Sequence, residues 1–208
     1  MSRWIIDSAA CLPVRDGRPW ADELLRRMDE VGVTHVVAAP SAELVAVYND
    51  AANESLAEIS RGSGGRILGL AVANPWFGPK ATRALQAAFD QGLAGLYLQP
   101  SRQGFRLTEA VVDPLIEICA AHCKPVYVST GTPVCAEPLQ LSELARRHPD
   151  AKFVMGHAAW SDFSGYDVVC AMKQAANLWV DVSCTIGGVI RAILDTFGAG
   201  RALFGSSY

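Results

Sequence analysis

Candidate catalytic groups follow short apolar runs along this 208-residue sequence. Cys11, Ser129 and His157 carry a thiol, a hydroxyl and an imidazole, the groups that nucleophilic and acid–base catalysis use. An imidazole has an ordinary pKa of about 6.5, which suits proton transfer near neutral pH. The alternative interpretations are a packing histidine at His157 and a small buried apolar residue at Cys11.

Other polar and aromatic side chains in equivalent positions are predicted to contact a small ligand. Gln99 and Ser207 offer hydrogen-bonding groups, Asn74 follows another apolar run, and Trp160 could line an aromatic pocket. Covering of the rim is the alternative role for Trp160.

Metal-binding side chains are scarce at these positions, because Asp7 is the only carboxylate and His157 the only imidazole. A zinc site normally needs about three protein ligands. We therefore expect no cofactor. The alternative is zinc held by Cys11, His157 and Cys184, which requires both thiols to face the pocket.

The elements that position these residues are eight short apolar, β-branched runs separated by stretches of helical period. The runs are continuous rather than alternating, which is typical of parallel strands covered on both faces. The predicted strands are Trp4–Asp7, His35–Pro40, Ile67–Ala73, Leu93–Gln99, Pro125–Ser129, Lys152–His157, Leu178–Ser183 and Ala202–Ser206.

This alternation favours a (β/α)₈ barrel spanning residues 1–208 as one domain. An open doubly wound sheet usually carries a glycine-rich first turn, whereas residues 8–13 contain no glycine. The sequence stops at the eighth predicted strand, so we expect the last helix to be lacking. Apolar surface left uncovered there predicts a homo-oligomer.

Composition excludes several classes of protein. Half of the residues are hydrophobic and 19% are charged, which is typical of a globular domain. A net charge of −3 argues against a nucleic-acid partner. The absence of a long apolar run argues against a membrane partner, and without an export signal we expect a cytoplasmic protein with its six cysteines reduced.

Six segments in order resemble the amidohydrolase-related (amidohydrolase 2) branch of the metal-dependent TIM-barrel hydrolases and decarboxylases. Ile5–Leu12 is similar to that family's opening Ile-Ile-Asp-x-His-x-His-Leu, and Pro125–Gly131 to its Pro-Val-x-x-His-Thr-Gly. The other similar segments are Gly92–Pro100, Phe153–His157, Leu178–Ser183 and Arg201–Tyr208. The resemblance covers the whole chain and implies an amidohydrolase-like barrel.

The departures from the family pattern fall on its metal ligands. Its strand-one histidines correspond to Ala9 and Cys11, and only the strand-six histidine, His157, is retained. Ser129, Gln99 and Ser207 stand where the family has two further histidines and an aspartate. The resemblance also implies that Cys11 and His157 lie close together.

Two functions therefore remain in view. The first is a metal-independent hydrolase or decarboxylase of a small carboxylated, lactone or aromatic substrate, with catalysis by His157, Cys11 and Ser129. The second is a catalytically inactive binding or regulatory protein that keeps the fold.

Overall fold

Eight parallel strands, hydrogen-bonded in chain order, form the centre of the protein in a computed structural model that describes residues 4–13, 17–160 and 165–208. The strands are β1 (Ile6–Leu12), β2 (His35–Pro40), β3 (Ile67–Val72), β4 (Gly95–Leu98), β5 (Val126–Ser129), β6 (Phe153–Gly156), β7 (Leu178–Asp181) and β8 (Ala202–Leu203).

Helices alternate with the strands around the outside. They are α1 (Gly17–Val31), α2 (Ala42–Val45), α3 (Asn49–Gly62), α4 (Pro79–Asp90), α5 (Pro100–Gln103), α6 (Asp113–Ala121), α7 (Pro138–Arg147), α8 (Gly165–Gln174) and α9 (Gly187–Phe197). No helix of the described residues is long and apolar enough to cross a membrane.

Apolar side chains form two layers, one on each face of the sheet. The larger lies between strands and helices and includes Leu85, Leu144 and Ile193. The smaller lies inside the ring of strands, where Ala9, Leu70 and Tyr127 are buried together. Burial on both faces explains the continuous apolar runs in the sequence.

Backbone hydrogen bonds between β1 and the segment after β8 close the ring. Ser8 N donates to Phe204 O at 2.8 Å, Ser207 N to Ala9 O at 2.9 Å and Cys11 N to Tyr208 O at 2.8 Å. The Asp7 carboxylate accepts from the backbone N–H of Ser206 at 2.9 Å. The predicted (β/α)₈ barrel is therefore confirmed, with no helix described after β8.

The first strand differs from its prediction. Trp4 lies before β1, and residues 8–12 of the expected first turn (residues 8–13) lie within the strand. Cys11 pairs with Ala39 of β2, and the register shifts between Asp7 and Ala10.

Candidate active site

A pocket opens at the carboxyl ends of the strands, where barrel enzymes place their active sites. Aromatic and small side chains form most of its wall. The lining residues are Ser8, Ala9, Ala10, Cys11, Val37, Ala39, Leu70, Tyr97, Tyr127, His157, Ser207 and Tyr208.

A fully buried carboxylate, Asp181 at the end of β7, lies behind the Tyr127 and His157 part of this wall. Its Oδ2 accepts from the Tyr127 hydroxyl at 2.5 Å and from Ser183 Oγ at 3.0 Å. Its Oδ1 accepts from Ser183 N at 2.7 Å. Three donors converge on the two oxygens, which is the pattern of an ionised carboxylate acting only as an acceptor.

The His157 imidazole joins the same network through Ser183. Its Nδ1 lies 3.1 Å from Ser183 Oγ. Because Ser183 donates its single hydroxyl proton to Asp181, it accepts from Nδ1–H. This assigns the tautomer from the hydrogen-bond network and leaves Nε2 unprotonated. Within the described ranges Nε2 has no hydrogen-bond partner, so it is the ring nitrogen left for a ligand.

Burial lowers the pKa of His157 below its ordinary value, while the charge of Asp181 raises it by a smaller amount. The neutral imidazole is therefore the predominant form at neutral pH. For the tyrosines, burial raises the pKa of Tyr97 to about 12 and the pKa of Tyr127 well above its ordinary value. Both phenols stay protonated and can act as donors.

Two glycines make room for the network. A Cβ on Gly205 would lie 2.4 Å from Asp181 Oδ1, and a Cβ on Gly156 would lie 2.4 Å from the Tyr127 ring. Contacts that short do not occur between real side chains, so any larger residue would displace the carboxylate or the ring.

The turn after β6 has an unusual backbone. Residues His157 to Trp160 all have positive φ angles, between 39° and 67°, although none is glycine. Thr130 supports the turn, because its hydroxyl donates to Gly156 O at 2.7 Å and accepts from Ala159 N at 3.2 Å. Left-handed residues of this kind need a surrounding structure that holds them in place, and Thr130 thereby fixes the position of His157.

Cys11 and His157 line the same pocket, as the resemblance implied, but no hydrogen bond joins them among the described residues. The Cys11 thiol instead donates to Pro40 O at 3.6 Å. Burial raises the pKa of this thiol, which disfavours the reactive thiolate. The predicted catalytic role of Cys11 stays a prediction without a base to activate it.

The other predicted site residues occupy different surroundings. Ser207 lines the pocket, and Ser129 contacts the Tyr97 hydroxyl. Asn74 caps a short turn by accepting from Trp76 N at 3.1 Å, and donates to Ala46 O at 2.8 Å. Trp160 is 71% exposed outside the pocket wall. The catalytic role of Ser129 and the ligand-binding roles of the other three residues stay predictions.

Two buried side-chain oxygens of the described residues have no hydrogen-bond partner, Ser8 Oγ and Gln99 Oε1. Ser8 is 8% exposed and lines the pocket, whereas Gln99 lies outside the wall. An unpartnered buried oxygen costs free energy unless another group satisfies it. The Ser8 hydroxyl is therefore a candidate contact for a bound molecule.

The Asp181 network was missed as a functional feature from the sequence. Neither Asp181 nor Tyr127 is among the site residues that the sequence predicts, and Asp7 is the only carboxylate that it places at the strand ends. The signal was available in the alternation of β7, because Leu178 and Val180 belong to the outer core and Asp181 must then point inward.

A divalent metal does not fit these side chains. No group of three His, Cys, Asp or Glu residues that could hold one occurs in the described ranges. The alternative zinc site at Cys11, His157 and Cys184 is not formed by the described residues, because Cys184 is exposed outside the pocket wall. Ala9 supplies only a methyl group at its place on β1.

A family model described as Amidohydrolase matches residues 30–208. No match was found among curated proteins.

Solved structures share the fold at low identity. A candidate amidohydrolase from Staphylococcus aureus matches with a TM-score of 0.78 and 15% identity, covering 99% of this chain and 88% of that chain. The 5-carboxyvanillate decarboxylase of Sphingomonas paucimobilis matches at 0.72 and 14%, with the same two coverages. A 2,6-dihydroxybenzoate decarboxylase in complex with 2,6-dihydroxybenzoate matches at 0.71 and 16%, covering 100% and 88%.

Proposed function

The chain belongs to the amidohydrolase family, and from that premise we propose that it hydrolyses a small cyclic or aromatic ester or lactone without a metal. Two of the structural neighbours act on aromatic acids, which supports a ring-shaped substrate of similar size. Tyr97 and Tyr127 line the pocket and offer aromatic surface against which a planar ring can pack.

The observation that carries the proposal is the hydrogen-bonded series from Asp181 through Ser183 to His157 Nδ1. It fixes the imidazole as a neutral base with Nε2 free, the arrangement that general-base catalysis needs. A water molecule held by Nε2 would attack the substrate carbonyl carbon and pass its proton to the imidazole.

The remaining steps return that proton. When the bond between the carbonyl carbon and the leaving oxygen breaks, protonated His157 donates to that oxygen, and the products are a carboxylic acid and an alcohol or phenol. Asp181 supports the transient imidazolium through Ser183. The Tyr97 hydroxyl, which burial keeps protonated, can donate to the carbonyl oxygen as negative charge develops there.

Decarboxylation, the other reaction that we considered, is less well supported by this geometry. Cleavage of a carboxylate needs a group that holds the carboxylate in place, and none of the lining residues is cationic. Hydrolysis of a carbonyl group needs a base and a donor, and His157 and Tyr97 meet both requirements.

The test is a screen of aryl esters, δ-lactones and aromatic lactones with the wild-type protein, its His157→Gln variant and a chelator. We expect turnover that His157→Gln removes and that the chelator leaves unchanged. Full activity in the variant, or activity lost with the chelator and restored by zinc or manganese, would contradict the proposal.

A binding protein without catalysis is the second candidate, and the unpartnered Ser8 hydroxyl together with the hydrogen-bonded Cys11 thiol favours it. Its signature is saturable binding of ring compounds with no turnover in the same screen.

A homo-oligomer and a cytoplasmic location stay predictions. The outer surface near the β1–β8 junction exposes Trp4, Ile6 and Phe204, by 67%, 43% and 56% respectively. Sedimentation of the wild-type protein tests this association, and a monomer at micromolar concentration would rule it out.

A further inference from the structure

We infer that the pocket selects neutral or cationic ring compounds over carboxylates, and that Asp181 is the residue that sets this selectivity. The inference rests on the proposed function, because it concerns the same pocket and names the charge class of its ligand.

The network around Asp181 carries a negative charge. Asp181 is fully buried, and its hydrogen-bond donors are the Tyr127 hydroxyl and the backbone and hydroxyl of Ser183. All of these are neutral groups. No ion pair to Asp181 occurs among the parts of the chain that are described. The carboxylate therefore carries an uncompensated negative charge in a region of low polarity.

The Asp181 carboxylate lies close to the pocket in which a ligand would bind. Tyr127 and His157, which line the pocket, are each connected to Asp181 by no more than two hydrogen bonds. Ala9, another lining residue, lies close to the Asp181 carboxylate. A Cβ on Gly205 would contact both side chains. A ligand in the pocket is thus separated from Asp181 by a single layer of side chains.

The residues that line the pocket provide no positive charge to balance Asp181. The twelve lining residues include no lysine or arginine, and His157 is held neutral by burial. Arg27 lies over the Tyr208 ring at 5.5 Å, and the charge of Arg102 reaches Tyr97. Both arginines are exposed and Arg27 is paired with Glu23, so water and salt screen them more than Asp181.

This selectivity has a consequence for the proposed reaction. Hydrolysis adds water across the carbonyl carbon–oxygen bond of a neutral ester or lactone, and the carboxylic acid that forms releases its proton to water and becomes a carboxylate. Asp181 attracts no part of the neutral substrate strongly, but it repels the product anion. The same buried charge that orients His157 therefore favours release of product.

The experiment compares three ligands of nearly the same shape: benzamidinium, benzamide and benzoate. Their affinities for the wild-type protein are measured by calorimetry at pH 8 and low salt, where benzamidine is cationic and benzoate anionic. A charge pair about 7 Å apart at an effective dielectric constant of about 20 gives at least about a tenfold difference between benzamide and benzoate. We expect the order benzamidinium, benzamide, benzoate.

Substitution then assigns the effect. Asp181→Asn keeps the shape and removes the charge, so the benzamide-to-benzoate ratio should fall to about one through tighter binding of benzoate. Asp150→Asn is the matched control, because Asp150 is exposed at the amino end of β6, and it should leave the ratio unchanged. Arg102→Gln tests the rim cation and should leave the order unchanged.

Benzoate binding as tightly as benzamide to the wild-type protein would overturn the inference even if Asp181→Asn fails to fold. A ratio unaltered by a folded Asp181→Asn would also overturn it. These measurements need no turnover, so the expected ligand order without hydrolysis contradicts the proposed function alone, and hydrolysis with the reverse order contradicts only the charge selectivity.

Discussion

The two sides of the barrel mouth are built from different kinds of residues. On the side of β5, β6 and β7, Tyr127, His157 and Asp181 belong to one hydrogen-bonded network. On the side of β1 and β2, the wall consists of small groups such as Ala9, Cys11 and Ala39. One side holds groups at fixed positions, and the other provides space.

One side of the mouth orients the catalytic imidazole, and the other leaves room for the ligand. A neutral imidazole acts as a base only if its tautomer and direction are fixed, and three buried polar partners do this on the β5–β7 side. Small residues at the positions where the family resemblance places metal-binding histidines leave room for a ring on the opposite side. We therefore expect substitutions on the first side to lower activity or to alter the charge preference that Asp181 sets. Substitutions on the second side should alter the size and shape of the ligand that fits.

The largest expected effect is on activity. His157→Gln should lower kcat/KM for an active ester or lactone by about 100- to 1,000-fold, because general-base catalysis contributes about that factor. Initial rates against substrate concentration provide the measurement, and unfolding in urea should show a stability close to wild type. If Cys11→Ala costs more activity than His157→Gln, the two sides have been assigned the wrong roles.

The next effect is on stability. Asp181→Ala leaves the Tyr127 hydroxyl and Ser183 N–H buried without acceptors, and an unsatisfied buried group costs about 1–3 kcal/mol. We expect a loss of about 3 kcal/mol in the free energy of unfolding. Urea denaturation measures it, with Asp150→Asn as a control for charge alone. A change below 0.5 kcal/mol, about the scale of a surface substitution, would show that the network is not structural.

The turn that carries His157 gives the third prediction. Gly131 has a φ of +100°, and a Cβ there would lie 2.1 Å from Ala159 O. Gly131→Ala should therefore destabilise the protein by about 2 kcal/mol through backbone strain and displacement of the turn. Gly188→Ala in α9 is the matched control, because its Cβ would meet nothing within 4 Å. Equal melting temperatures for the two variants would contradict the close approach of these loops.

The pH dependence gives the fourth. His157 must be neutral to act as a base, and burial lowers its pKa below 6.5. Activity should rise with pH through a value below 6.5 and be level at pH 7. Stability should change in the same direction as activity. Because the unfolded chain protonates His157 more readily than the folded protein does, stability is unaffected above the unfolded-state pKa. It is lost as pH falls from there through the lowered folded-state pKa. An NMR titration of the imidazole gives the pKa, and a value above 6.5 would contradict burial as the main cause.

The smallest effect is expected for Cys11. Because burial keeps its thiol protonated and the thiol donates to Pro40 O, Cys11→Ala should change kcat/KM by less than about threefold and stability by about 1 kcal/mol. Thiol alkylation rates against pH provide an independent check. A fast-reacting thiolate at pH 7 would show that the β1 and β2 side carries a nucleophile, which contradicts its assignment as a wall of unreactive small groups.

The sequence predicted the eight strands because both faces of a parallel barrel strand are buried, so each strand is a continuous apolar run. It missed the extent of β1, where Ala10 and Cys11 pair with β2 and where Ser8, Ala9 and Cys11 make hydrogen bonds to residues after β8. The residue types of this segment are typical of a turn. Position along a strand was enough to place Cys11 and His157 at the mouth.

The Asp181 network could not be obtained in the same way. Its contacts join β5, β6 and β7, and no local pattern shows which polar groups meet across the barrel. The left-handed turn is a clearer case, because His157 to Trp160 include no glycine and only the contact with Thr130 shows how they are held.

The closing hydrogen bonds of the ring have a practical consequence. The pocket wall includes Ala9 and Cys11 from the first strand and Ser207 and Tyr208 from beyond the last, so a molecule bound there spans the junction that completes the cylinder. A ligand at a free concentration 100 times its dissociation constant raises the free energy of unfolding by about 2.7 kcal/mol. For a protein of this length each kcal/mol raises the melting temperature by about 2–4 °C. Thermal unfolding measured across a small-molecule library would thus identify ligands as compounds that raise the melting temperature by bridging the first and last strands.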